Sequence, residues 1–329
     1  MIESLKTNKD YRSVIFRCLD NCLTTTSLGN KEHYKGKVRD RYDLGEVLAL
    51  ITTDRQSAFD RILATIPFKG QVLNQTGAWW FEKTKHIIPN HVIEIPDPNV
   101  TIAKKCKPFP IEFVVRGYVT GSSSTSLWTI YNRGEREYCG IKFPDGMVKN
   151  QALESPVLPP TTKEEDHDRP ISPEEIVEEG WMSEEHWDLA SKKAVELFAY
   201  GQKISEEHGL ILVDTKYEMG LSPSGETILI DEIHTPDSSR YWINESYADR
   251  TSSGLEPENI DKEFLRLWFK EHCDPYKDEK LPDAPKELVV ELSARYIHLF
   301  ETITGTKFVF PDETPSIKDR LKNNLKNYF

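Results

Sequence analysis

"ILVDTKYEMG", residues 211–220, joins two patterns in one short stretch. Ile211, Leu212 and Val213 form an apolar, β-branched run of the kind that fills a buried strand, and Asp214, Lys216 and Glu218 then follow at every second position. Side chains of a strand alternate faces, so these three charges share one face. Crowded there, they cost free energy unless a partner neutralises them. A turn at Ser222–Gly225 leads to a second strand candidate, "ETILIDE". Antiparallel pairing of 211–218 with 227–232 would add Asp231 and Glu232, so that several carboxylates and one lysine converge. Such a group suits a divalent cation with phosphate. Mg²⁺ takes one or two carboxylates and fills its octahedron with phosphate oxygens and water, while a lysine supplies a point charge for the next anion. A solvated hairpin laced with cross-strand ion pairs explains the same residues equally well.

Outward from this stretch, Ser183 opens a long helix. Trp187, Ala190, Ala194, Leu197, Gly201 and Ile204 recur at spacings of three and four, a core-facing stripe that Gly209 stops. Ser172, Pro173 and Glu175 supply the N-cap, first-turn proline and capping-box glutamate of a shorter helix. The segment from Cys139 to Pro173 has no periodicity and reads as a long loop. Within it, "TTKEEDHDRP" holds Lys163, His167 and Asp168, a charge run at home on a solvated surface, with no second histidine at metal-ligand spacing. Farther upstream, "KVRDRYDLGEVLALITTD" predicts a hairpin turning at Asp43–Gly45, with Gly36 and Lys37 at its mouth. "HVIEIPDP" and "IEFVVRGYV" are further strand candidates. Beyond Asn259 the pattern is mainly helical.

Two clusters of hydroxyls and arginine favour an anionic ligand. "VVRGYVTGSSS" sets Arg116 at a strand end ahead of Gly117, Gly121 and Ser122, Ser123 and Ser124, and "TPDSSR", residues 235–240, repeats the theme with Asp237, Ser238, Ser239 and Arg240. "YKGKVRD" puts Gly36 beside Lys37 and Arg39 ahead of a strand, as in a glycine loop lying over phosphates, although neither GxxxxGK(S/T) nor GxGxxG occurs.

The 329 residues are enough for two domains, and 38% hydrophobic with 29% charged residues is a globular composition. A formal charge of −12 weighs against a nucleic-acid groove, which needs a basic face. The opening "MIESLKTNKDYRS" has no apolar h-region, and no stretch approaches the roughly 18 apolar residues of a membrane span. The expectation is a cytoplasmic protein with small-molecule partners, no nucleic acid and no membrane; nothing in the pattern signals an oligomeric state. Cys18, Cys22, Cys106, Cys139 and Cys273 are scattered and odd in number, which argues against a disulfide framework or a structural zinc.

In chain order, "GKVRD", "TTDRQSAFD", "KGQVLNQ", "FVVRGYVTGS", "TTKEEDHD", "ILVDTKYEMG" and "LIDEIHTPDSSRYW" resemble one family, the phosphoribosylaminoimidazole-succinocarboxamide synthases, or SAICAR synthetases, of purine biosynthesis. Seven motifs at compatible spacing are far more specific than any one of them. The resemblance implies a mixed α+β and α/β fold: an N-terminal antiparallel-sheet domain, 1–112, and a larger ATP-grasp-like domain, 113–329, with the ribotide site, the C-terminal helices, and an ATP cleft between the two. It implies a ligase that uses ATP and Mg²⁺ to join the carboxylate of carboxyaminoimidazole ribotide (CAIR) to the amine of L-aspartate through an acyl phosphate. It also implies roles for residues. Lys37 and Lys163 would meet ATP phosphates, Glu112 and the backbone at Val114 the adenine, and Glu218 and Asp231 the nucleotide's Mg²⁺. Lys216, Arg116 and Asp168 would be catalytic, with Lys216 neutralising the carboxylate being activated. Ser122, Ser238, Ser239, Arg240 and Arg266 would bind substrate. "TTDRQSAFD", with Asp54, Arg55, Ser57 and Asp60, is a family signature that carries no assigned contact. The chain departs from the family's usual pattern at "GSSSTSLWTIYNRGE", in the acidic "KEEDHD", and at His234, where an aliphatic residue is common. A phosphotransferase of the protein-kinase type would share a glycine loop, a lysine and an acidic metal ligand, but this chain has neither HRDxxxxN nor DFG.

Overall fold

A computed structural model describes residues 9–29, 31, 33–164, 168–260, 262–312 and 314–329; His167 lies outside them. Packing divides the chain into unit 1, drawn from Met1–Trp80, Val92–Lys105 and Ile260–Phe329, and unit 2, drawn from Phe81–His91 and Cys106–Asn259. These bounds differ from the division at residue 112 that the resemblance implies, because the C-terminal helices share cores with the N-terminal elements.

Unit 1 begins with α1 (Lys9–Arg17), β1 (His33–Lys35), β2 (Arg39–Asp43), β3 (Val47–Thr52), β4 (Arg55–Ala58), β5 (Arg61–Thr65), α2 (Lys69–Thr84), β6 (Val92–Asp97) and β7 (Val100–Lys104). Five strands form an antiparallel sheet in the order β1-β2-β3-β7-β6. The predicted hairpin is β2–β3, and Gly36, Lys37 and Val38 form the turn between β1 and β2 at its open end. Alternation turns Tyr42, Ala49 and Ile51 inward to a core shared with Leu23, Val100 and Ile102. The separate hairpin β4–β5 turns on Phe59 and Asp60, whose φ values of 55° and 58° are unusual for residues with side chains. Burial of Phe59 in a second core, with Ile15, Leu63 and Phe68, offsets that strain. Asp54 is also buried, accepting the N–H of Leu23 at 2.6 Å and that of Gly70 in the first turn of α2 at 2.9 Å. Burial nonetheless pushes its pKa up to about 6.

Unit 2 contains β8 (Lys107–Pro108), β9 (Ile111–Tyr118), α3 (Leu127–Asn132), β10 (Glu137–Tyr138), β11 (Ile141–Lys142), β12 (Ala152–Val157), β13 (Thr161–Thr162), α4 (Pro173–Glu178), α5 (Glu184–Glu207), β14 (Leu210–Leu221), β15 (Thr227–Ile230), β16 (Ser239–Ile243) and α6 (Asn244–Ser252). Residues 211–220 lie within β14, which holds the sheet together. One end pairs with β16, the other with β15 and β8, and Asp214–Tyr217 pairs with β9, all antiparallel. The β14–β15 hairpin turns at Ser222–Gly225 as predicted, but only Glu218–Leu221, not the whole of 211–218, pairs across it, because β9 and β16 take up the rest of the strand. The segment read as a long loop instead carries β11, β12 and β13, the last two paired with β9. Their pairing is templated by β9, so they need no hydrophobic period of their own.

Both predicted helices start where their caps place them. Ser172 and Glu175 exchange the two capping-box hydrogen bonds of α4, and the Ser183 side chain accepts the N–H of His186 at the start of α5. The α5 stripe is buried through Gly201, with Ser205 rather than Ile204 in its last buried place. It backs the sheet: Phe113 stacks on Trp187 with ring centroids 5.6 Å apart. At Gly201 a Cβ would sit 2.3 Å from Cε1 of His234, so only glycine lets the helix approach.

His234 is fully buried and shares a 2.5 Å hydrogen bond between its Nε2 and the Tyr217 hydroxyl. Burial pushes its pKa down to about 3. Because the folded imidazole resists a proton that the unfolded one takes up below about pH 6.5, stability is whole above that pH and is lost on acidification. Between pH 7 and 5 the loss attributable to this group is about 2 kcal/mol. Asp54 acts in the opposite sense, since a carboxyl whose folded pKa is raised adds stability as pH falls through 6. The contrast between wild type and His234→Gln isolates the histidine: chemical denaturation should show the variant losing about 2 kcal/mol less over that range. Parallel losses in the two proteins would contradict it.

Unit 1 is completed by α7 (Glu263–His272), α8 (Lys286–Thr304) and α9 (Ile317–Asn324). Helix α8 sends Leu292, Tyr296 and Ile297 into the core around Phe68, and α9 sends Leu321 against the sheet's Tyr42 cluster. Burying each such aliphatic side chain contributes on the order of 1.5–3 kcal/mol. Arg320 of α9 ties the sheet down through a two-pronged contact with Asp97 at 2.9 and 3.1 Å. Among the described residues, no helix is long and apolar enough to cross a membrane.

Candidate active site

Alternation along β14 buries Val213, Thr215, Tyr217 and Met219 and leaves Asp214, Lys216 and Glu218 half-exposed on the other face. Its neighbour β9 does the same, with Glu112, Val114 and Arg116 half-exposed. Register sets the two rows side by side, Asp214 opposite Arg116 and Lys216 opposite Val114. On the other edge Asp214 also lies opposite Arg240, whose guanidinium comes within 3.6 Å of its carboxylate.

The crowded charges are answered by the protein's own cations. The Lys216 ammonium donates to Glu218 at 2.6 Å and to Glu112 at 2.8 Å, while Lys163, just past β13, donates to the second oxygen of Glu218 at 2.5 Å. Burial by itself would lower the pKa of Lys216. The carboxylates of Glu218, Glu112 and Asp231 outweigh burial and hold it well above the usual lysine value. Lys216 is therefore a fixed cation at any working pH. Asp231, at the end of β15, has a left-handed φ of 68°, a conformation that aspartate takes at a cost. Arg116 donates to the Thr125 carbonyl at 3.3 Å, and its buried Nε makes no hydrogen bond. Burial lowers its pKa below the usual arginine value, against the pull of Asp214.

The "TPDSSR" segment is pinned to this face. The backbone N–H of Lys216 donates to the Ser238 carbonyl at 3.1 Å, and Thr235 donates to Glu232 at 2.6 Å. Ser239 departs from its expected place: it is buried, and its hydroxyl shares a 2.6 Å hydrogen bond with Thr215 on the face away from the charges. The reason is the period of two, which turns Ser239 inward if Arg240 faces out. Ser238 stays half-buried beside the charged face, and Ser122 and Asp168 are exposed.

Unit 2 thus brings together Glu112, Val114, Arg116, Lys163, Asp214, Lys216, Glu218, Asp231 and Arg240. Asp214, flanked by two arginines, and the Glu112–Lys216 contact are the features that sequence reading left unassigned. The alternation D-T-K-Y-E signals the first, and the second depends on which strand becomes β14's neighbour. Two expected residues belong to unit 1. Lys37 is exposed and pairs with Asp60 at 2.5 Å, while Arg266 pairs with Glu263 at 3.0 Å and lies over the Phe59 ring.

Of these residues, Glu218 and Asp231 could hold Mg²⁺ together with a polyphosphate. Glu218 and Asp231 offer oxygen donors beside a fixed ammonium, and among the described residues no three or more His, Cys, Asp or Glu form a cage by themselves. A cation that draws most of its shell from phosphate oxygens and water needs no such cage.

The family model described as SAICAR synthetase matches residues 32–282. The phosphoribosylaminoimidazole-succinocarboxamide synthase of Legionella pneumophila (strain Lens) is 64% identical over 307 residues, covering 93% of this chain and 98% of that protein. The chloroplastic enzyme of the same name from Arabidopsis thaliana is 62% identical over 312 residues, 93% of this chain and 76% of that one. Among solved structures, the SAICAR synthase of Saccharomyces cerevisiae complexed with SAICAR superposes with a TM-score of 0.75 at 30% identity, covering 88% of this chain and all of that one. Motif order, antiparallel fold, charged strand face and these likenesses agree, and the chain belongs to the SAICAR synthetase family.

Proposed function

We propose that this chain joins the carboxylate of CAIR to the amine of L-aspartate, converting ATP to ADP and phosphate and releasing SAICAR. The observation that carries this reading is the Lys216 ammonium, fixed between Glu112 and Glu218 on a strand face whose other end holds Arg116, Asp214 and Arg240. A carboxylate is a poor electrophile. Transfer of the γ-phosphoryl group to a ribotide carboxylate oxygen, with ADP leaving, gives an acyl phosphate. The aspartate amine then attacks the carbonyl carbon, loses a proton, and phosphate departs with the C–O bond. Lys216 holds the reacting carboxylate and lowers the repulsion between it and the incoming phosphoryl oxygens. Arg116 and Arg240, with Ser122 and Ser238, hold the ribotide's phosphate, and Asp168 faces the ribotide. Glu112 and the Val114 backbone hold adenine, while Lys37 and Lys163 hold nucleotide phosphates. Glu218 and Asp231 would hold Mg²⁺, which when bound neutralises charge on the transferring phosphoryl group. The reaction would run in the cytoplasm; five cysteines, none of them in a disulfide, fit a reducing compartment.

A phosphate-release assay with Mg-ATP and the four combinations of CAIR and aspartate tests the reading. Phosphate should appear at a sustained rate only when both acceptors are present, in step with SAICAR. Stable transfer of the phosphoryl group to a single acceptor would make the protein a kinase and overturn the proposal.

A further inference from the structure

We propose that Arg55 positions the glycine loop, an assignment resting on the reading that this loop and Lys37 meet the nucleotide's phosphates. Arg55 opens β4 and is 2% exposed, and its partner Asp40 is fully buried. Its guanidinium serves four acceptors. Nε donates to the Lys37 carbonyl at 3.2 Å, one terminal nitrogen to the Thr24 carbonyl at 2.7 Å, and the other to the Gly36 carbonyl at 2.8 Å and to Asp40 at 2.7 Å. Asp40 spends its second oxygen on the N–H and hydroxyl of Thr26, at 3.0 and 2.7 Å. Next door, the backbone N–H and hydroxyl of Thr53 both donate to the Val38 carbonyl, at 2.9 and 2.7 Å.

Three successive carbonyls, those of Gly36, Lys37 and Val38, are therefore all drawn to the side where Thr53 and Arg55 lie. In a trans peptide the N–H points opposite to the C=O of the same unit. Holding the Gly36 and Lys37 carbonyls inward turns the N–H groups of Lys37 and Val38 outward, the arrangement by which successive amides receive an anion. The turn tolerates no side chain at its first position, since a Cβ on Gly36 would lie 2.9 Å from the Arg39 carbonyl. Arg55 thus acts through the loop backbone without touching substrate, and Asp40 keeps its charge compensated in a buried place. Lysine cannot replace it: one ammonium on a flexible stem reaches Asp40 but lacks the planar fork that spans two neighbouring carbonyls.

Steady-state kinetics of the full chain test this, with R55K as the conservative variant, R55M as the severe one and K37M as the probe of the loop itself. R55K should raise KM for ATP about tenfold while leaving KM for aspartate and CAIR within about twofold of wild type. Its melting temperature should stay within a few degrees, and R55M should raise KM for ATP further. If K37M raises KM for ATP and R55K does not, the positioning role is overturned while the loop's role stands. Equal rises in all three KM values for R55K would show a merely structural arginine and also overturn it. An unchanged KM for ATP in K37M would overturn the reading of the loop, and this assignment with it.

Discussion

Replacing Lys216 with alanine is expected to stop SAICAR formation, lowering kcat by on the order of 10³-fold or more, while Mg-ATP still stabilises the protein. The magnitude follows from what the ammonium does: it bonds to both Glu112 and Glu218, and those carboxylates hold its pKa well above that of a free lysine. A charge aimed in advance at a reacting carboxylate is worth several kcal/mol, because no solvent has to reorganise around it during the reaction. The fold should survive, since Lys216 stays in the sheet through backbone pairing with Val114 and through its N–H to Ser238, neither of which needs the side chain. Glu218 and Asp231, the proposed metal ligands, are left in place. The expected pattern is no product, normal secondary structure, and a melting temperature still raised by Mg-ATP. Product formation within about tenfold of wild type would refute the role of Lys216.

Much of this arrangement could be read from the chain itself. The period-two run from Asp214 to Glu218 specified a strand with one charged face, and the turn at Ser222–Gly225 specified the hairpin, but not which strands flank that face. The caps at Ser172 and Ser183 specified two helix starts to the residue. These are local signals, each written within a few positions. What could not be read locally was partnership. Strands β12 and β13 exist because β9 offers them an edge, and the tail helices group with the N-terminal elements because Leu321 buries against the sheet and Tyr296 in the core around Phe68. The same holds within the site. The sequence grouped Lys216 with the carboxylates of its own hairpin, but the contact with Glu112 comes from a strand about a hundred residues away in sequence. Ser239 was misplaced because a serine in "DSSR" looks the same whether the pleat turns it in or out. Arg55 stood in a recognised motif without a task, because its task is to bind carbonyls that no residue pattern displays.

Glu218→Ala should give the opposite signature from Lys216→Ala, although the two residues lie two positions apart on one face. Glu218 is bonded to two cations, Lys163 and Lys216, so a metal approaching its carboxylate competes with two ammonium groups. That competition is resolved if nucleotide phosphates arrive with the metal and take over the lysines: the anion satisfies Lys163 while the carboxylate turns to the cation. Removing the carboxylate breaks this exchange at its centre and leaves the two ammonium groups with fewer partners. Mg-dependent ATP turnover is expected to fall by about 10²–10³-fold, with little change in melting temperature without ligand, because Glu218 keeps its backbone pairing with Ile230. The decisive reading is the ligand-induced shift. At a concentration 100 times its Kd, Mg-ATP stabilises a native protein by about 2.7 kcal/mol, and this gain should largely vanish in Glu218→Ala while persisting in Lys216→Ala. Added magnesium should restore part of the turnover of Glu218→Gln, which keeps one oxygen donor, and none of that of Lys216→Ala, whose defect is not in metal binding. Near-normal turnover and an intact shift in Glu218→Ala would mean that its carboxylate serves only to anchor Lys163 and Lys216, and the metal would have to be sought at Asp231 without it.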